Sequence, residues 1–352
     1  MKYIKLKDVC KINMGQSPDS SSYNESGEGI PFFQGNADFG DRYPVTRIWC
    51  SEPKKVAQEN DILISVRAPI GAINYSKEKC CIGRGLAALT VDKTKISEKL
   101  LFWVLKAKKE ELNRQGTGST FKAISKKSLE ELLIPQIDIK EQEKDVEILE
   151  KIYMIIQNKH KELKLLTDLI SARFVEMFGD PIRNTQNRPT TKLINVVKMQ
   201  RGFDLPVQDR NQDGNIPVYG ANGVLDSHNT ARIHGGGVIT GRSGTIGKVF
   251  YTEGDYWPLN TSLFSVDKHG NNVIYLAYLL QMFDLTRFVE GTGVPTLNRN
   301  MFHNRQIIDV PINEQNKFAA FVQQVNKSKF EVQKSLEKTQ LLFDSLMQEY
   351  FG

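Results

Sequence analysis

The chain of 352 residues is 40 % hydrophobic and 25 % charged, with a formal net charge of +6, which is typical of a globular protein of about two domains. Its charged start excludes a signal peptide, and no apolar run approaches the roughly 18 residues of a membrane span. The four cysteines lack the paired spacing of a zinc site. These features predict a cytoplasmic protein with reduced thiols, no bound metal and no contact with a membrane.

The features at the start of the chain return later in the same order. Segment 5–11 and Gly15 are matched by segment 192–198 and Gly202. The pairs that follow are 29–33 with 215–219, 61–67 and 70–71 with 237–242 and 246–247 after one inserted residue, 89–92 with 264–267, 101–105 with 276–280, 116–118 with 291–293, 134–135 with 310–311, 141–142 with 314–315, and 178–179 with 351–352. The ordered set predicts a tandem duplication.

Each copy is followed by a long segment without Gly or Pro, 136–178 and 312–351. The apolar residues in these segments recur at alternating three- and four-residue steps, which is the heptad pattern of a helix that needs a partner helix. The predicted seam consists of Leu149, Ile152, Ile156, Leu163, Leu166, Ile170 and Met177 in the first segment and Phe318, Val322, Val325, Val332, Leu336, Phe343, Leu346 and Tyr350 in the second.

The predicted organisation is therefore two globular domains, 1–137 and 181–312, and two long helices, 138–180 and 313–352. Each domain alternates β-branched and aromatic runs with turn residues and one short helical pattern, which indicates a mixed α/β fold. If the helices pack together, the second must run back along the first. We expect an α+β protein in which an antiparallel two-helix coiled coil, roughly 57 Å long at 1.5 Å per residue, separates two pseudo-two-fold-related domains.

The sequence offers little for catalysis. Segment 241–249 resembles a phosphate-binding loop, but its first Gly is out of register and Val249 stands where that loop needs a hydroxyl. A Gly-x-Ser-x-Gly elbow, a His-Glu-x-x-His motif and a Gly-rich dinucleotide motif are absent. We therefore expect no enzyme activity in this chain alone.

Polar and basic residues recur on the predicted loops of both copies, and the positive charge lies in the same two domains. Arg can read guanine, Asn and Gln can read adenine, and Gly lets the backbone approach phosphate. Surface ion pairs and solvated lysines explain such residues equally well, so the residues alone leave both interpretations open. The predicted DNA contacts are Gln16, Asn36, Arg67, Arg84, Ser119 and Lys122 in the first copy, and Asn222, Arg242, Ser243, Thr245, Thr292, Thr296, Asn298 and Arg299 in the second, with Arg67 and Arg242 at equivalent places.

In order, these features resemble the specificity subunit of type I restriction-modification systems over essentially the whole chain. Each domain begins with a Lys-Leu-x-Asp/Asn-Val segment, contains the Arg and Ile-Gly segment, and leaves through Ile/Val-Pro and Glu-Gln into a long helix. Segment 346–352 is similar to the end of the family's last helix. One departure is that the first target recognition domain begins at the start of the chain, without a leading segment.

The resemblance implies a non-catalytic subunit that recognises a bipartite site in double-stranded DNA, one half-site per domain, with the helices setting the spacer. It also implies two modification (methyltransferase) subunits and the restriction (motor and nuclease) subunits as partners. S-adenosylmethionine, ATP and Mg²⁺ are used by those partners, and this chain needs no cofactor. The alternative is a duplicated coiled-coil interaction scaffold that binds protein or glycan. A self-contained methyltransferase is disfavoured because an Asn-Pro-Pro-aromatic motif is absent.

Overall fold

The computed structural model describes residues 2–117, 122–211, 213–291 and 295–352. The chain forms two compact units, residues 1–158 with 335–352 and residues 159–334. Each unit contains one mixed α/β domain and part of both long helices. The predicted fold class, two mixed α/β domains with two long helices, is confirmed.

The described part of the first domain contains three sheets. Hydrogen bonds join the strands in the orders β1-β11, β2-β10-β7-β8 and β3-β5-β4-β9-β6. The strands are β1 (Tyr3–Lys5), β2 (Cys10–Met14), β3 (Tyr23–Asn24), β4 (Ile30–Phe33), β5 (Ile48–Cys50), β6 (Val56–Ala57), β7 (Ile62–Ser65), β8 (Ile73–Tyr75), β9 (Cys80–Ile82), β10 (Leu86–Val91) and β11 (Leu133–Pro135), and the helices are α1 (Glu98–Ala107), α2 (Lys109–Gln115) and α3 (Lys126–Glu130).

The long helix α4 (Ile139–Phe178) leads to the second domain, which is followed by α8 (Ile312–Phe351). The strands of this domain are β12 (Thr190–Lys192), β13 (Lys198–Arg201), β14 (Ile216–Gly220), β15 (Gly223–His228), β16 (Gly237–Gly241), β17 (Val249–Thr252), β18 (Trp257–Pro258), β19 (Ser262–Asp267), β20 (Val289–Glu290), β21 (Thr296–Leu297) and β22 (Gln306–Ile308), and its helices are α5 (Leu193–Val196), α6 (Val273–Phe283) and α7 (Arg299–His303). Its four-stranded sheet, β13-β19-β16-β17, repeats the antiparallel order β2-β10-β7-β8. The duplicated sequence is therefore a duplicated fold.

Burial explains the central strands and helices of both domains. Every residue of β7 and of β16 is buried, as expected for strands that are covered on both faces. Helix α6 packs against β16 and β17, and residues 100–105 of α1 are all buried. The described part of each domain has three α-helices and not the one predicted, because short helices such as α3 and α7 are started by the caps Ser125 and Asn298 and are too short to show a period.

The two long helices contain 40 residues each. Helix α8 covers the whole of segment 312–351, whereas α4 begins at Ile139, within segment 136–178, because the Gln136 N–H donates to the Lys2 carbonyl at 2.9 Å and prolongs the pairing of β1 with β11. The structure also buries Val146, Tyr153 and Phe174, which the predicted seam omits. Of the seam residues, Leu149, Ile156, Ile170, Phe318, Val322, Val325, Leu336 and Phe343 are buried, and Ile152, Leu163, Leu166, Met177, Val332, Leu346 and Tyr350 are half-buried.

In the first unit, the early part of α4 lies beside the late part of α8. The Tyr153 and Phe343 rings are 6.4 Å apart. Nearer the start of α4, burial and the neighbouring carboxylates of Glu141 and Glu349 raise the pKa of Asp145. The contacts run in opposite directions along the two helices, so this pair is antiparallel.

In the second unit, the late part of α4 lies beside the early part of α8. The Phe178 and Phe318 rings are 5.6 Å apart, and the Arg173 guanidinium lies 5.7 Å from the Phe321 ring. The order is again reversed, so the helices are also antiparallel here. Tyr275 of the second domain joins this cluster, 5.2 Å from Phe178.

One buried glutamine connects each long helix to its domain, and both glutamines are 1 % exposed. Gln142 Oε1 accepts from the N–H of Ser97, the residue before α1, at 3.0 Å, and Gln315 Oε1 accepts from the N–H of Asn272, the residue before α6, at 2.9 Å. Each Nε2 donates to a carbonyl just before its own helix, at 2.8 Å and 2.7 Å. The repeated Glu-Gln pair of the sequence thus marks the junction between domain and helix.

Arg42 provides a second junction in the first unit. Its guanidinium donates to both oxygens of Glu150 on α4, at 3.0 and 2.7 Å, and lies 4.6 Å from the Tyr153 ring. Glu150 Oε1 also accepts from Trp103 Nε1 at 2.9 Å, and the Trp103 ring packs 5.4 Å from Phe343 of α8. A paired, charge-assisted contact of this kind fixes orientation as well as distance.

In the second unit, neutral donors on α8 join the long helix to the domain. Gln323 Nε2 donates to Glu253 Oε1 at 3.1 Å, and Asn326 Nδ2 donates to the Tyr251 hydroxyl at 3.2 Å. The two domains therefore share a fold and the buried glutamine, but the remaining polar contacts to the helices differ.

Replacing Gln315 with Ala is expected to lower the free energy of unfolding by about 1–3 kcal/mol, because the Asn272 N–H and the carbonyl before α8 lose their partner. Urea unfolding followed by tryptophan fluorescence measures the change. Gln324, an exposed glutamine of the same helix, provides the control as Gln324→Ala. Equal midpoints for the two variants would contradict the structural role of Gln315.

The buried histidine of α7 links the pH to the stability of the second unit. His303 is 6 % exposed, and its Nε2 accepts from the Met199 N–H at 3.0 Å. Burial, and then the nearby charges of Arg299 and Lys198, lower the pKa of His303, so the folded state holds the ring neutral. The histidine of the unfolded chain takes up a proton below about pH 6.5, whereas the folded state keeps the ring neutral. The unfolded state therefore binds more protons, and the free energy of unfolding decreases as the pH is lowered.

We expect the second unit to lose stability as the pH falls from about 7 to about 5, by at most about 1.4 kcal/mol per pH unit. The variant His303→Gln keeps an acceptor for the Met199 N–H without a titrating group, so this pH dependence should become smaller. Thermal unfolding at both pH values measures the effect, and the exposed His160 of α4 supplies the control His160→Gln. The same loss in His303→Gln as in the unaltered chain would contradict the assignment.

Candidate DNA interface

Several loops of the first domain meet where β7 ends and β10 begins. The Val66 N–H donates to the Gly85 carbonyl at 2.9 Å, and the Ala68 N–H donates to the Lys122 carbonyl at 3.0 Å. These bonds hold loops 66–72 and 83–85 and the segment before α3 against one another. Three predicted contacts are exposed on these loops, namely Arg67, Arg84 and Lys122.

Two further loops close on the same end of the sheet. The Gln16 N–H donates to the Ile82 carbonyl at 3.0 Å, and Ser17 Oγ accepts from the Arg84 N–H at 3.3 Å and from Gln34 Nε2 at 3.2 Å. Gln16 is exposed, and Asn36 is half-buried two residues after Gln34. The structure therefore brings together all the predicted contacts of the first domain that lie within the described residues. Ser119 lies outside them.

The second domain has a pocket of about 330 Å³ at the corresponding end of its sheet. Four predicted contacts line it, namely Arg242, Thr296, Asn298 and Arg299. Asn298 Oδ1 accepts from the Asn300 N–H at 3.0 Å and so starts α7, while its Nδ2 donates to Glu290 Oε2 at 2.8 Å. The pocket is thus built from the ends of β13, β16 and β20 and the start of α7.

The other predicted contacts of the second domain lie on adjacent turns. Ser243 pairs with Thr296 through a β-bridge, and Thr245 is exposed in the same turn. Asn222 is exposed, and its Oδ1 accepts from Lys248 Nζ at 2.8 Å. Thr292 lies outside the described residues.

The hydrogen bonds define how the two domains correspond residue by residue. In the first domain the Val66 carbonyl accepts from the Ile124 N–H at 2.9 Å, and in the second the Arg242 carbonyl accepts from the Leu297 N–H at 2.8 Å. The strands pair in the same register immediately before these positions. Val66 is therefore the counterpart of Arg242.

It follows that Arg67 corresponds to Ser243, and the predicted equivalence of Arg67 with Arg242 after one inserted residue is wrong. Adjacent residues of an extended chain point to opposite sides, so a slip of one residue changes the surface that a side chain reaches. The Ile-Gly turn keeps its place without an insertion. Gly71 and Gly247 have φ values of 84° and 93°, which a residue with a Cβ rarely adopts, and this explains the repeated glycine.

Sequence reasoning did not select three residues that the structure places among these groups, namely Ser17, Gln34 and Arg201. Arg201 could have been selected from the sequence because it directly precedes Gly202, the glycine that repeats Gly15 of the first copy. A Cβ at Gly202 would lie 2.3 Å from the Leu259 carbonyl oxygen, so the chain passes very close to its neighbour at this point. Arg201 is held next to that close approach and lines the pocket.

The remaining reactive groups in the described part of the chain show no catalytic arrangement. No group of three or more His, Cys, Asp or Glu side chains among the described residues could hold a metal ion. The four thiols are buried, and burial raises the pKa of Cys10 to about 12 and of Cys80 to about 11. In the same part of the chain, no helix is both long enough and apolar enough to cross a membrane.

Comparison with known proteins identifies the family. The model of the family described as type I restriction modification DNA specificity domain matches residues 1–167 and 189–341. The chain therefore belongs to this family, and it contains the family's domain twice.

Individual relatives agree with this assignment. The chain is 47 % identical over 152 residues to the MjaX type I restriction enzyme specificity subunit of Methanocaldococcus jannaschii, over 43 % of this chain and 36 % of that protein. It is 25 % identical over 195 residues to the MjaIX specificity subunit of the same organism, over 52 % of this chain and 45 % of that protein. The chain thus spans less than half the length of either relative. The crystal structure of the type I restriction-modification S subunit from M. genitalium shares the fold, with a TM-score of 0.66 at 16 % identity over 100 % of this chain and 96 % of that one.

Proposed function

We propose that this chain is the non-catalytic DNA-recognition subunit of a type I restriction-modification complex, in which each domain reads one half of a bipartite site in double-stranded DNA. The observation that carries the proposal is that basic and amide side chains gather at the same end of the four-stranded sheet in two domains of one topology. Arg, Asn and Gln supply the hydrogen-bonding groups that match base edges in the major groove. Loops on a rigid scaffold commonly carry such binding residues.

The partners would be two modification (methyltransferase) subunits and the restriction (motor and nuclease) subunits, working with this chain in the cytoplasm. S-adenosylmethionine, ATP and Mg²⁺ would be used by those subunits. Exposed apolar side chains on the long helices support a docking role, because such side chains mark interaction surfaces when they cluster. They are Met154, Ile155, Leu341 and Leu342 in the first unit and Leu165, Leu169, Val175, Ile312 and Phe330 in the second.

The variant Arg67→Ala should change the requirement at one half of the recognised site and leave the other half unaltered. A lost bidentate contact costs about 1–3 kcal/mol of discrimination at one base pair. Mapping of methylated adenines in cells that produce the chain with its modification subunit measures the effect. Lys77 is exposed beyond β8, at the opposite end of the same sheet, so Lys77→Ala should leave both halves unchanged. Equal changes in both halves would count against one domain reading each half.

The length of the long helices should set the spacer between the half-sites. Insertion of seven residues after Asn158 in α4 and after Lys334 in α8 keeps the heptad seam in register and adds about 10.5 Å to each helix. At about 3.4 Å per base pair, the spacer should grow by about three base pairs while both half-site sequences stay the same. The same methylation map measures the spacer. An insertion in α4 alone is the control and should abolish methylation, and an unchanged spacer in the double insertion would refute the role of the helices.

A further inference from the structure

Three arginines line one pocket of the second domain. Arg201 comes from the end of β13, Arg242 follows β16, and Arg299 begins α7. Glu290 is the acidic residue among the residues that line this pocket, and its Oε2 accepts from Asn298 Nδ2 at 2.8 Å. The lining of this pocket therefore contains three arginines and one carboxylate, and that carboxylate already has a neutral partner.

The charge of the pocket is not neutralised by the part of the chain that the structure describes. None of the three arginines lies within 4.0 Å of a described carboxylate oxygen, whereas Arg210 of the same domain pairs with Asp226 at 3.4 Å. Arg242 Nη1 reaches the Asn260 carbonyl at 3.4 Å. Like charges that converge in a partly enclosed space repel one another, so an anion bound among them would be favourable.

The first domain has other residues at the positions that correspond to these three arginines. Met14, before Gly15, stands where the second domain has Arg201, and the buried Val66 stands where it has Arg242. Lys126 follows the cap of α3 as Arg299 follows the cap of α7, but Lys126 Nζ pairs with Glu130 at 3.4 Å. Because the first domain adopts the fold without these arginines, the fold does not require them.

We propose that the pocket formed by Arg201, Arg242 and Arg299 binds a phosphate of the DNA backbone, so that the second domain holds its half-site by a sequence-independent contact that the first domain lacks. This inference rests on the function proposed above and gives Arg242 a positioning role in place of base reading. The planar guanidinium matches the oxygens of a phosphate in a two-bonded geometry. A G·C pair is the competing occupant, because Arg reads guanine and Glu accepts from the cytosine amino group, but three arginines against one carboxylate favour an anion.

The test uses the full chain assembled with its modification subunit and DNA that carries its methylated site. Arg201→Met introduces the residue that the first domain has at this position. Its affinity should fall about tenfold for the cognate site and for sites altered in the second half alike, and the slope of log K against log salt should become shallower by about 0.9. Arg299→Ala should behave in the same way, and Arg201→Lys should restore most of the slope because Lys also binds phosphate as a point charge.

Arg183, which is exposed in the same unit and outside the pocket, supplies the control Arg183→Ala, which should leave the slope unchanged. An unchanged slope in both Arg201→Met and Arg299→Ala overturns the proposal. A loss confined to one base pair of the half-site also overturns it and assigns base reading instead. If the unaltered complex retains no DNA at low salt, the proposed function itself is wrong. This outcome differs from failure of the phosphate pocket, because it is seen in the unaltered complex and not in a variant.

Discussion

The attachment of each α/β domain to the long helix that follows it depends on one buried side-chain amide, Gln142 at the start of α4 and Gln315 at the start of α8. Each amide joins the residue before the domain's main helix to the loop that leads into the long helix, and both amides are buried among apolar side chains. Apolar surfaces alone tolerate sliding, whereas a buried polar group must keep its partners or lose several hydrogen bonds at once. The amides therefore fix the position of each domain relative to the long helix that follows it. The loops at the end of the four-stranded sheet belong to the same domain, so their position relative to the long helix depends on this contact.

The division of roles within each domain follows from burial. Strands β7 and β16 are buried throughout and set the backbone of the loops that follow them, while Arg67 and Thr245 on those loops are exposed and Arg242 lines a pocket. One position at this end of the sheet holds the buried Val66 in the first domain and the pocket-lining Arg242 in the second, so the same fold accepts different side chains there. This separation allows one scaffold to present two different recognition surfaces.

The long helices and the duplication could be predicted from the sequence because they depend on composition and spacing over many residues. The absence of Gly and Pro and the heptad steps define segment 312–351, which forms α8. Ile-Gly and Glu-Gln recur because a left-handed turn and a buried amide need those residue types. The equivalence of Arg67 with Ser243 could not be predicted, because a one-residue register depends on hydrogen bonds between distant strands. Tyr153 and Arg201 were missed for a related reason, since each is defined by what it faces across the fold.

The polar contacts between domain and long helix differ between the two domains, so neither domain could take the other's place without loss. Counted from the two paired glutamines, the position of Glu150 in α4 is occupied by Gln323 in α8, and that of Tyr153 by Asn326. A first domain transplanted into the second place would bring Arg42 to a neutral amide in place of a carboxylate, and its guanidinium would lose its counter-charge in a partly buried site. Each domain is therefore matched to the helix residues that it contacts, and the two domains of this chain are not interchangeable.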